Sequence, residues 1–321
     1  MPQKPLDLQT SSPADTSESG AENATSHIHL MRGRFAPSPS GPLHFGSLIA
    51  AVGSYLIAKT HNAEWQVRIE DIDPPREIAG ATDTILRQLE AFGLHWDGPV
   101  IYQSEHIPRF QQILEELKTK GLLYACNCTR KQINKVSDNG RYPNICSGKN
   151  LGFDGEVAWK LRHGQGQYDF MDLIQGECQF PQDLYQEDFT VRRKDGLMAY
   201  QLAVVVDDID AGIDHVVRGS DLLDSTPRQL RLYEVLSKEP PLWYHLPVAI
   251  NQDGNKLSKQ NHAEAVSEEK AGPLLVEALD FLGQQPPADL INQSIELIMD
   301  WALEHFSLQK IPQKQQIPYF D

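Results

Sequence analysis

Residues 34–47 read R-F-A-P-S-P-S-G-P-L-H-F-G-S, a loop rich in Pro, Ser and Gly between two apolar segments. We predict a short strand that ends at about Phe35 and a helix that begins at about Gly46. A helix N-terminus presents free N–H groups and a partial positive charge, so this arrangement suits phosphate binding. His44 lies just before the helix, where we expect its imidazole to donate to a phosphate oxygen. The loop matches neither G-x-G-x-x-G nor G-x-x-x-x-G-K-S/T, which excludes a dinucleotide fingerprint and a P-loop.

The segments that follow this loop alternate between strand and helix patterns. Residues 64–69 are typical of a strand, and residues 77–92 and 108–118 are typical of amphipathic helices. Such alternation predicts an α/β fold with a parallel sheet and right-handed crossovers.

The α/β pattern resumes after about residue 197. We interpret the strongly apolar run 198–206 as a strand buried on both faces, with Asp207, Asp208 and Asp210 at its carboxyl end. We also predict a strand at 215–218, a helix at 225–236, a last sheet strand at 246–250, and amphipathic helices at 263–282 and 288–306.

Composition changes along the chain indicate its domain organisation. Residues 1–30 are rich in Ser, Thr, Ala and acidic residues without apolar periodicity, which indicates a disordered tail and no secretory signal. Met31 follows directly, so one hypothesis is that translation begins there. The remaining predicted segments are the first half of the α/β domain (31–120), an insertion (121–196), the second half of the α/β domain (197–260) and a helical C-terminal region (261–321).

Composition and charge limit the function classes. The chain has 321 residues, 40% of them hydrophobic and 23% charged, as in an ordinary globular protein. No apolar run reaches the roughly 18 residues of a membrane helix, so we expect a cytoplasmic protein with no membrane partner. A net charge of −15 argues against indiscriminate nucleic-acid binding, but it leaves room for RNA bound at a local basic strip.

Three of the four cysteines, Cys126, Cys128 and Cys146, lie within about 21 residues of one another. This clustering indicates a metal site rather than disulfides. Zinc prefers four ligands, and composition alone nominates Cys178 or His163 as the fourth. The metal would be structural, stabilising an insertion too small to bury a core of its own.

Two motifs together indicate a family. Pro42–Gly46 (P-L-H-F-G) resembles the first signature of class I aminoacyl-tRNA synthetases, and the lysine segment 256–260 (K-L-S-K-Q), about 210 residues later, resembles the second. The segments 34–41 and 68–77 (R-I-E-D-I-D-P-P-R-E) resemble the glutamate-specific branch. Ser47 and Gln260 depart from the family pattern, where a second His and a last Ser are usual.

The resemblance implies a Rossmann-like sheet and amino-acid activation by ATP. In that reaction negative charge gathers on phosphate oxygens, so catalysis depends on placed positive groups. The implied catalytic residues are His44, Lys256 and Lys259. The implied ATP-binding residues are His44, Gly46, Ser47 and Lys259, with ATP normally accompanied by Mg²⁺.

A glutamate substrate needs cations for its carboxylates and an anion for its amine. Arg34 and Arg218 are the candidate cations, and Glu70 is the candidate anion, each at the carboxyl end of a predicted strand. An alternative is that Glu70 and Arg218 form only a structural salt bridge. The resemblance implies a glutamate site formed by Arg34, Phe35, Ala36, Pro37, Ser38, Glu70, Tyr200 and Arg218.

Two further features resemble one branch, the glutamyl-queuosine tRNA(Asp) synthetases, which are truncated paralogues of glutamyl-tRNA synthetase. The chain continues for only about 60 residues past Lys259, so we expect no anticodon-binding domain. The pattern C-x-C…Y-x-x-x-C is also shared, which implies Tyr142 as the fourth zinc ligand.

That branch implies tRNA-independent activation of L-glutamate and its transfer to queuosine at the wobble position of tRNA(Asp), by a monomer. The alternatives are a truncated glutamyl-tRNA synthetase that charges the tRNA 3′ end, or a non-catalytic zinc-stabilised RNA-binding protein.

Overall fold

The computed structural model describes residues 31–137, 139–257 and 264–319. The predicted tail 1–30, Lys259 and Gln260 lie outside these ranges. Helices occupy α1 (Phe45–Thr60), α2 (Ala81–Ala91), α3 (Ile107–Thr119), α4 (Arg130–Asn134), α5 (Gln182–Tyr185), α6 (Tyr200–Asp210), α7 (Thr226–Val235), α8 (Ala271–Phe281) and α9 (Ile295–His305). Among the described residues, every helix is too short or too polar to span a lipid bilayer.

The strands of the described chain are likewise numbered in chain order. Their bounds are β1 (Arg32–Phe35), β2 (Glu64–Ile69), β3 (Ile101–Tyr102), β4 (Leu123–Cys126), β5 (Ala158–Leu161), β6 (Phe170–Asp172), β7 (Gly176–Cys178), β8 (Phe189–Arg192), β9 (His215–Gly219), β10 (Leu242–Leu246), β11 (Val248–Ile250) and β12 (Gln316–Pro318).

A seven-stranded sheet forms the centre of the molecule, in the order β3-β2-β1-β9-β10-β6-β7. Every neighbouring pair is parallel except β6 and β7. This arrangement confirms the predicted α/β fold. The segment 121–196 contributes β6 and β7 to this sheet and also forms a separate antiparallel sheet, β4-β5-β8.

Helix α1 lies directly against the sheet, and this contact positions the loop between β1 and α1, where we predict phosphate binding. Its residues from Leu48 to Ala58 are almost all buried, between β1 and β9 on one side and α8 on the other. Gly53 allows the close approach, because a Cβ there would lie 2.5 Å from Leu246 Cδ1. The N-terminus of α1 is therefore fixed at the carboxyl ends of the strands, where α/β folds bind ligands.

The prediction of a strand at 198–206 is wrong, because the residues from Tyr200 onward belong to helix α6. Leu202 through Asp208 are all buried, so the segment shows no alternation of exposed and buried faces. A short continuous apolar run is compatible with either a buried strand or a buried helix. Asp207 and Asp208 therefore lie inside the helix, and do not follow a strand.

The predicted last strand at 246–250 is divided in two. Pro247 has no backbone N–H for a sheet, and it separates β10 from β11. Strand β10 belongs to the central sheet, whereas β11 pairs with β12 in a second parallel sheet. The predicted helix at 77–92 also begins later, at Ala81, because Gly80 has a φ of +77°.

Candidate active site

His44 caps helix α1 and lies at the edge of a cavity of about 620 Å³. Its Nδ1 accepts a hydrogen bond from the Ser47 backbone N–H at 3.2 Å. In the neutral ring this bond leaves the proton on Nε2, which is the donor that a phosphate oxygen requires. The cavity is also lined by Gly46 and Ser47 from the start of the helix.

Lys256 and Leu257, the described residues of the lysine segment, line the same cavity. The Lys256 Nζ is paired with Asp221 Oδ2 at 2.6 Å. The backbone of Lys256 also bridges to Ile250, which ties the segment to β11. The described parts of the two predicted phosphate-binding segments, about 210 residues apart in sequence, thus line one cavity.

The first-loop residues that we predict to bind glutamate differ in their burial and contacts. Phe35 is buried and stacks on Trp65, with ring centroids 6.2 Å apart, although it also contributes to the cavity wall. Ala36, Pro37 and Ser38 line the cavity. The Pro37 carbonyl accepts the Glu70 N–H at 3.0 Å and so joins this loop to the end of β2.

Arg34 and Arg218 are both buried, but only Arg34 is paired with a carboxylate. Arg34 Nε and Nη2 donate to the two oxygens of Asp208 at 3.0 and 3.2 Å. Arg218 donates to neutral acceptors, and it forms no ion pair with any residue in 31–137, 139–257 or 264–319. Its partners are His245 Nε2 (3.0 Å), Gln229 Oε1 (2.8 Å), Thr226 Oγ1 (2.8 Å) and the Leu222 carbonyl (3.4 Å).

No carboxylate of the described chain is therefore in direct contact with Arg218, and Asp208 acts on its charge only from a greater distance. Burial lowers the pKa of its guanidinium, as expected for a cation removed from water. The pKa of Asp208 is instead dominated by neighbouring charges. Burial alone would raise it, but Arg34 and Arg68 outweigh burial and hold it below its ordinary value.

Glu70 lies at the end of β2 beside Arg68, with Oε1 3.5 Å from Arg68 Nη2. The alternative salt bridge between Glu70 and Arg218 is not formed among the described residues. Burial raises the pKa of Glu70, and the neighbouring Arg68 and Arg34 oppose that rise. The Tyr200 hydroxyl, at the start of α6, interacts with Arg218, and burial raises its pKa. Arg34, Glu70, Tyr200 and Arg218 thus surround one polar region at the carboxyl ends of β1, β2 and β9.

Sequence reasoning did not identify the acceptors that hold these charged groups. Asp208 binds Arg34, and also accepts from Arg68 Nη1 at 2.6 Å, but it was assigned to the end of a strand. Arg68 stood in the quoted segment 68–77 without a role. His245 and Gln229 carried no signal, because a single buried His or Gln has no recognisable spacing.

The three cysteines Cys126, Cys128 and Cys146 form a compact group at the antiparallel sheet. Their sulfurs all lie within 4.8 Å of one another, and Cys128 Sγ is 3.4 Å from Cys146 Sγ. Tetrahedral zinc with about 2.3 Å Zn–S bonds places its sulfurs about 3.8 Å apart, so this group fits such an ion. Burial raises the pKa of the Cys128 thiol to about 11.

The Tyr142 hydroxyl is next to this group, where it accepts the Cys146 N–H at 2.8 Å. The other two candidates for a fourth ligand lie elsewhere. Cys178 is in β7 of the central sheet, where its sulfur is 3.6 Å from the Gly176 carbonyl. His163 Nδ1 is 2.7 Å from Asp188 Oδ1. The structure therefore groups Tyr142, and not Cys178 or His163, with the three thiols.

Comparisons with known proteins identify the family to which the chain belongs. The family described as tRNA synthetases class I (E and Q), catalytic domain, matches residues 30–277. The chain is 49% identical to the Glutamyl-Q tRNA(Asp) synthetase of Pectobacterium atrosepticum, over 88% of this chain and 87% of that protein. It is 50% identical to the protein of that name from Serratia proteamaculans, over 89% and 93%.

Among solved structures, the fold resembles a glutamate tRNA ligase from Elizabethkingia meningosepticum in complex with its amino acid. The TM-score is 0.73 at 23% identity, and the match covers 88% of this chain and 66% of that one. This similarity shows the fold alone.

Proposed function

The chain belongs to the glutamyl-Q tRNA(Asp) synthetase family of class I synthetase catalytic domains, and we propose that it activates L-glutamate with ATP and transfers it to queuosine in tRNA(Asp). Activation requires no tRNA. The acceptor is the wobble position of the anticodon loop, where single-stranded bases are accessible to a protein. The proposal puts the enzyme in the cytoplasm, because that compartment holds tRNA and ATP.

The observation that carries the proposal is the buried guanidinium of Arg218, which no carboxylate of the described chain contacts. Burying a cation without an anion is unfavourable, so a position of this kind is suited to an anionic ligand. A carboxylate of glutamate would supply the missing negative charge in bidentate geometry. Glu70 supplies the negative charge for the ammonium group, and Tyr200 and the loop 34–38 complete the proposed glutamate site.

The proposed chemical step is attack of the glutamate α-carboxylate on the α-phosphorus of ATP, with pyrophosphate as the leaving group. His44 Nε2–H, the backbone N–H of Gly46 and the Ser47 hydroxyl would stabilise charge on one side of the phosphates. Lys256 and Lys259 would stabilise it on the other side. ATP is expected to arrive with Mg²⁺.

The proposal includes one structural zinc ion held by Cys126, Cys128, Tyr142 and Cys146. Bound zinc would fix the loop that carries these ligands against the antiparallel sheet. In this interpretation 121–196 is the insertion, 31–120 and 197–260 are the halves of the catalytic domain, and 261–321 is the helical C-terminal region.

Glutamate-dependent ATP–pyrophosphate exchange without tRNA tests the activation step. Labelled glutamate is then incubated with ATP and tRNA(Asp) that contains or lacks queuosine, and nuclease digestion locates the label. We expect label in the anticodon loop only when queuosine is present. Label on the 3′-terminal adenosine would instead support a truncated glutamyl-tRNA synthetase, and absence of exchange would support a non-catalytic RNA-binding protein. Lys259→Ala should abolish exchange without unfolding the protein.

A further inference from the structure

His245, in the middle of the central sheet, connects Arg218 to a carboxylate that Arg218 does not touch. Its side chain is fully buried on β10. Its Nδ1 is 2.6 Å from Asp172 Oδ2, and its Nε2 is 3.0 Å from Arg218 Nε. Asp172, on β6, is equally buried, so the contact between Asp172 and His245 lies in the core, away from the protein surface.

The hydrogen bonds of Asp172 fix which ring nitrogen of His245 carries the proton. The carboxylate accepts the backbone N–H groups of Ile174, Gln175 and His245, so it acts only as an acceptor. His245 Nδ1 must therefore be the donor, and Nε2 offers a lone pair. Because the Arg218 Nε–H can only donate, this tautomer matches it. Burial also lowers the pKa of His245 to about 4, which keeps the ring neutral near pH 7.

We propose that Asp172 and His245 are positioning residues that orient the Arg218 guanidinium for the substrate carboxylate through a neutral acceptor. This inference rests on the proposed function, in which Arg218 binds glutamate. A hydrogen-bonded relay of a carboxylate and an imidazole fixes geometry and tautomer without transferring the proton.

The neutral acceptor leaves the charge of Arg218 available. A carboxylate in direct contact would orient the guanidinium but would also neutralise it, as Asp208 does for Arg34. The imidazole places the negative charge of Asp172 one residue further away. Gln229 and Thr226, the other side-chain hydrogen-bond partners given above, are likewise neutral, so every described side-chain acceptor orients Arg218 without an adjacent negative charge.

The substitution Asp172→Asn tests the relay, because an amide that keeps the backbone bonds through Oδ1 turns an N–H towards Nδ1. The proton should then move to Nε2, where it opposes the Arg218 Nε–H. We expect the KM for glutamate to rise at least tenfold, with the KM for ATP and the kcat at saturating glutamate within about threefold of wild type. Asp169→Asn, an exposed change in the same segment, should leave all three unchanged.

NMR spectroscopy can determine the tautomer of His245 in the absence of any substrate. Long-range ¹H–¹⁵N correlation spectra of histidine-labelled protein should show His245 as the Nδ1–H tautomer in wild type and as the Nε2–H tautomer in Asp172→Asn. The Nε2–H tautomer in wild type would overturn the inference. An unchanged KM for glutamate despite a switched tautomer would also overturn it. If wild-type protein shows no glutamate-dependent exchange at all, the proposed function fails first.

A second pair of variants keeps the test valid if Asp172→Asn does not fold. His245→Gln places an amide oxygen near the position of Nε2, whereas His245→Met has similar volume and no good acceptor. We expect the KM for glutamate to be at least fivefold higher in the Met variant than in the Gln variant. Equal values in the two variants would overturn the proposal.

Discussion

Val266 donates its backbone N–H to the Leu43 carbonyl at 2.9 Å, which joins the chain after the lysine segment to the loop before α1. Gln88 of helix α2 forms hydrogen bonds to both segments at this junction. Its Oε1 accepts the Leu43 N–H at 2.8 Å, and its Nε2 donates to the Val266 carbonyl at 2.9 Å. The loop before α1 and the chain after the lysine segment are therefore joined both by this backbone hydrogen bond and by one buried amide.

Gln88→Leu should weaken this junction and, with it, ATP binding. The change leaves the Leu43 N–H and the Val266 carbonyl without their amide partner, and each buried unpaired group costs about 1–3 kcal/mol. We expect a lower free energy of unfolding in urea and a higher KM for ATP in pyrophosphate exchange. Gln112→Leu, at an exposed position on α3, is the control. A stable variant with an unaltered KM for ATP would show that the junction does not serve nucleotide binding.

Arg34→Gln should be a stability mutation. It removes the bidentate partner of buried Asp208 and leaves that carboxylate with Arg68. Removing one partner of a buried ion pair typically costs about 3–5 kcal/mol. Chemical denaturation measures the loss, and a free energy of unfolding within about 1 kcal/mol of wild type would contradict it.

Arg218→Gln should instead be an affinity mutation. The change removes a buried charge that no described carboxylate contacts, which offsets part of the loss of its hydrogen bonds to His245, Gln229 and Thr226. The free energy of unfolding should therefore fall less than in Arg34→Gln. Hydrogen bonds to charged groups contribute about 1.5–3 kcal/mol, so the KM for glutamate should rise roughly 10- to 150-fold. Calorimetric titration with glutamate, compared with titration with ATP, checks this. An equal loss of affinity for both ligands would argue against a glutamate contact.

Elemental analysis should find one zinc ion per chain, and substitutions should identify the ligand set. Cys146→Ser and Tyr142→Phe should each lower zinc affinity by at least about 10- to 100-fold, since even outer-shell changes have effects of that size. Cys178→Ser and His163→Ala are matched controls, because both side chains lie outside the thiol group. Competition with a chromogenic chelator measures the affinity. Zinc loss in Cys178→Ser but not in Tyr142→Phe would reverse the assignment of the fourth ligand.

The free energy of unfolding should decrease as the pH is lowered, because of His245. Burial lowers its pKa from the ordinary 6.5 to about 4, so between these values the unfolded chain binds a proton that the folded chain does not. The corresponding stabilisation is present above about pH 6.5 and is lost as the pH falls towards 4, up to about 3 kcal/mol. Urea unfolding of wild type and His245→Gln across this range measures the difference.

His305→Gln, at an exposed histidine of α9, should retain the wild-type pH dependence. If His245→Gln loses stability with the same slope as wild type, the dependence comes from other groups.

The sequence by itself determined the family, the α/β class and the segments that we propose carry the chemistry. These properties depend on local patterns: a Pro/Gly loop before an apolar helix, a lysine segment, and three closely spaced cysteines. Each can be identified because the residues that act together are near one another in the chain. His44 at the start of α1 and the thiol group were predicted in this way, and the structure has both.

Only the tertiary structure decided what the buried charges do. Arg34 and Arg218 look equivalent in sequence, yet Asp208, 174 residues away from Arg34, neutralises only the first of them. The apolar run before Asp207 gave no periodicity, so its helical state depended on packing on all sides. The proposed role of His245 depends on its contact with Asp172, 73 residues earlier. Such pairings form because burial forces each polar group to find a partner, and the partner's distance along the chain is set by the topology of the sheet.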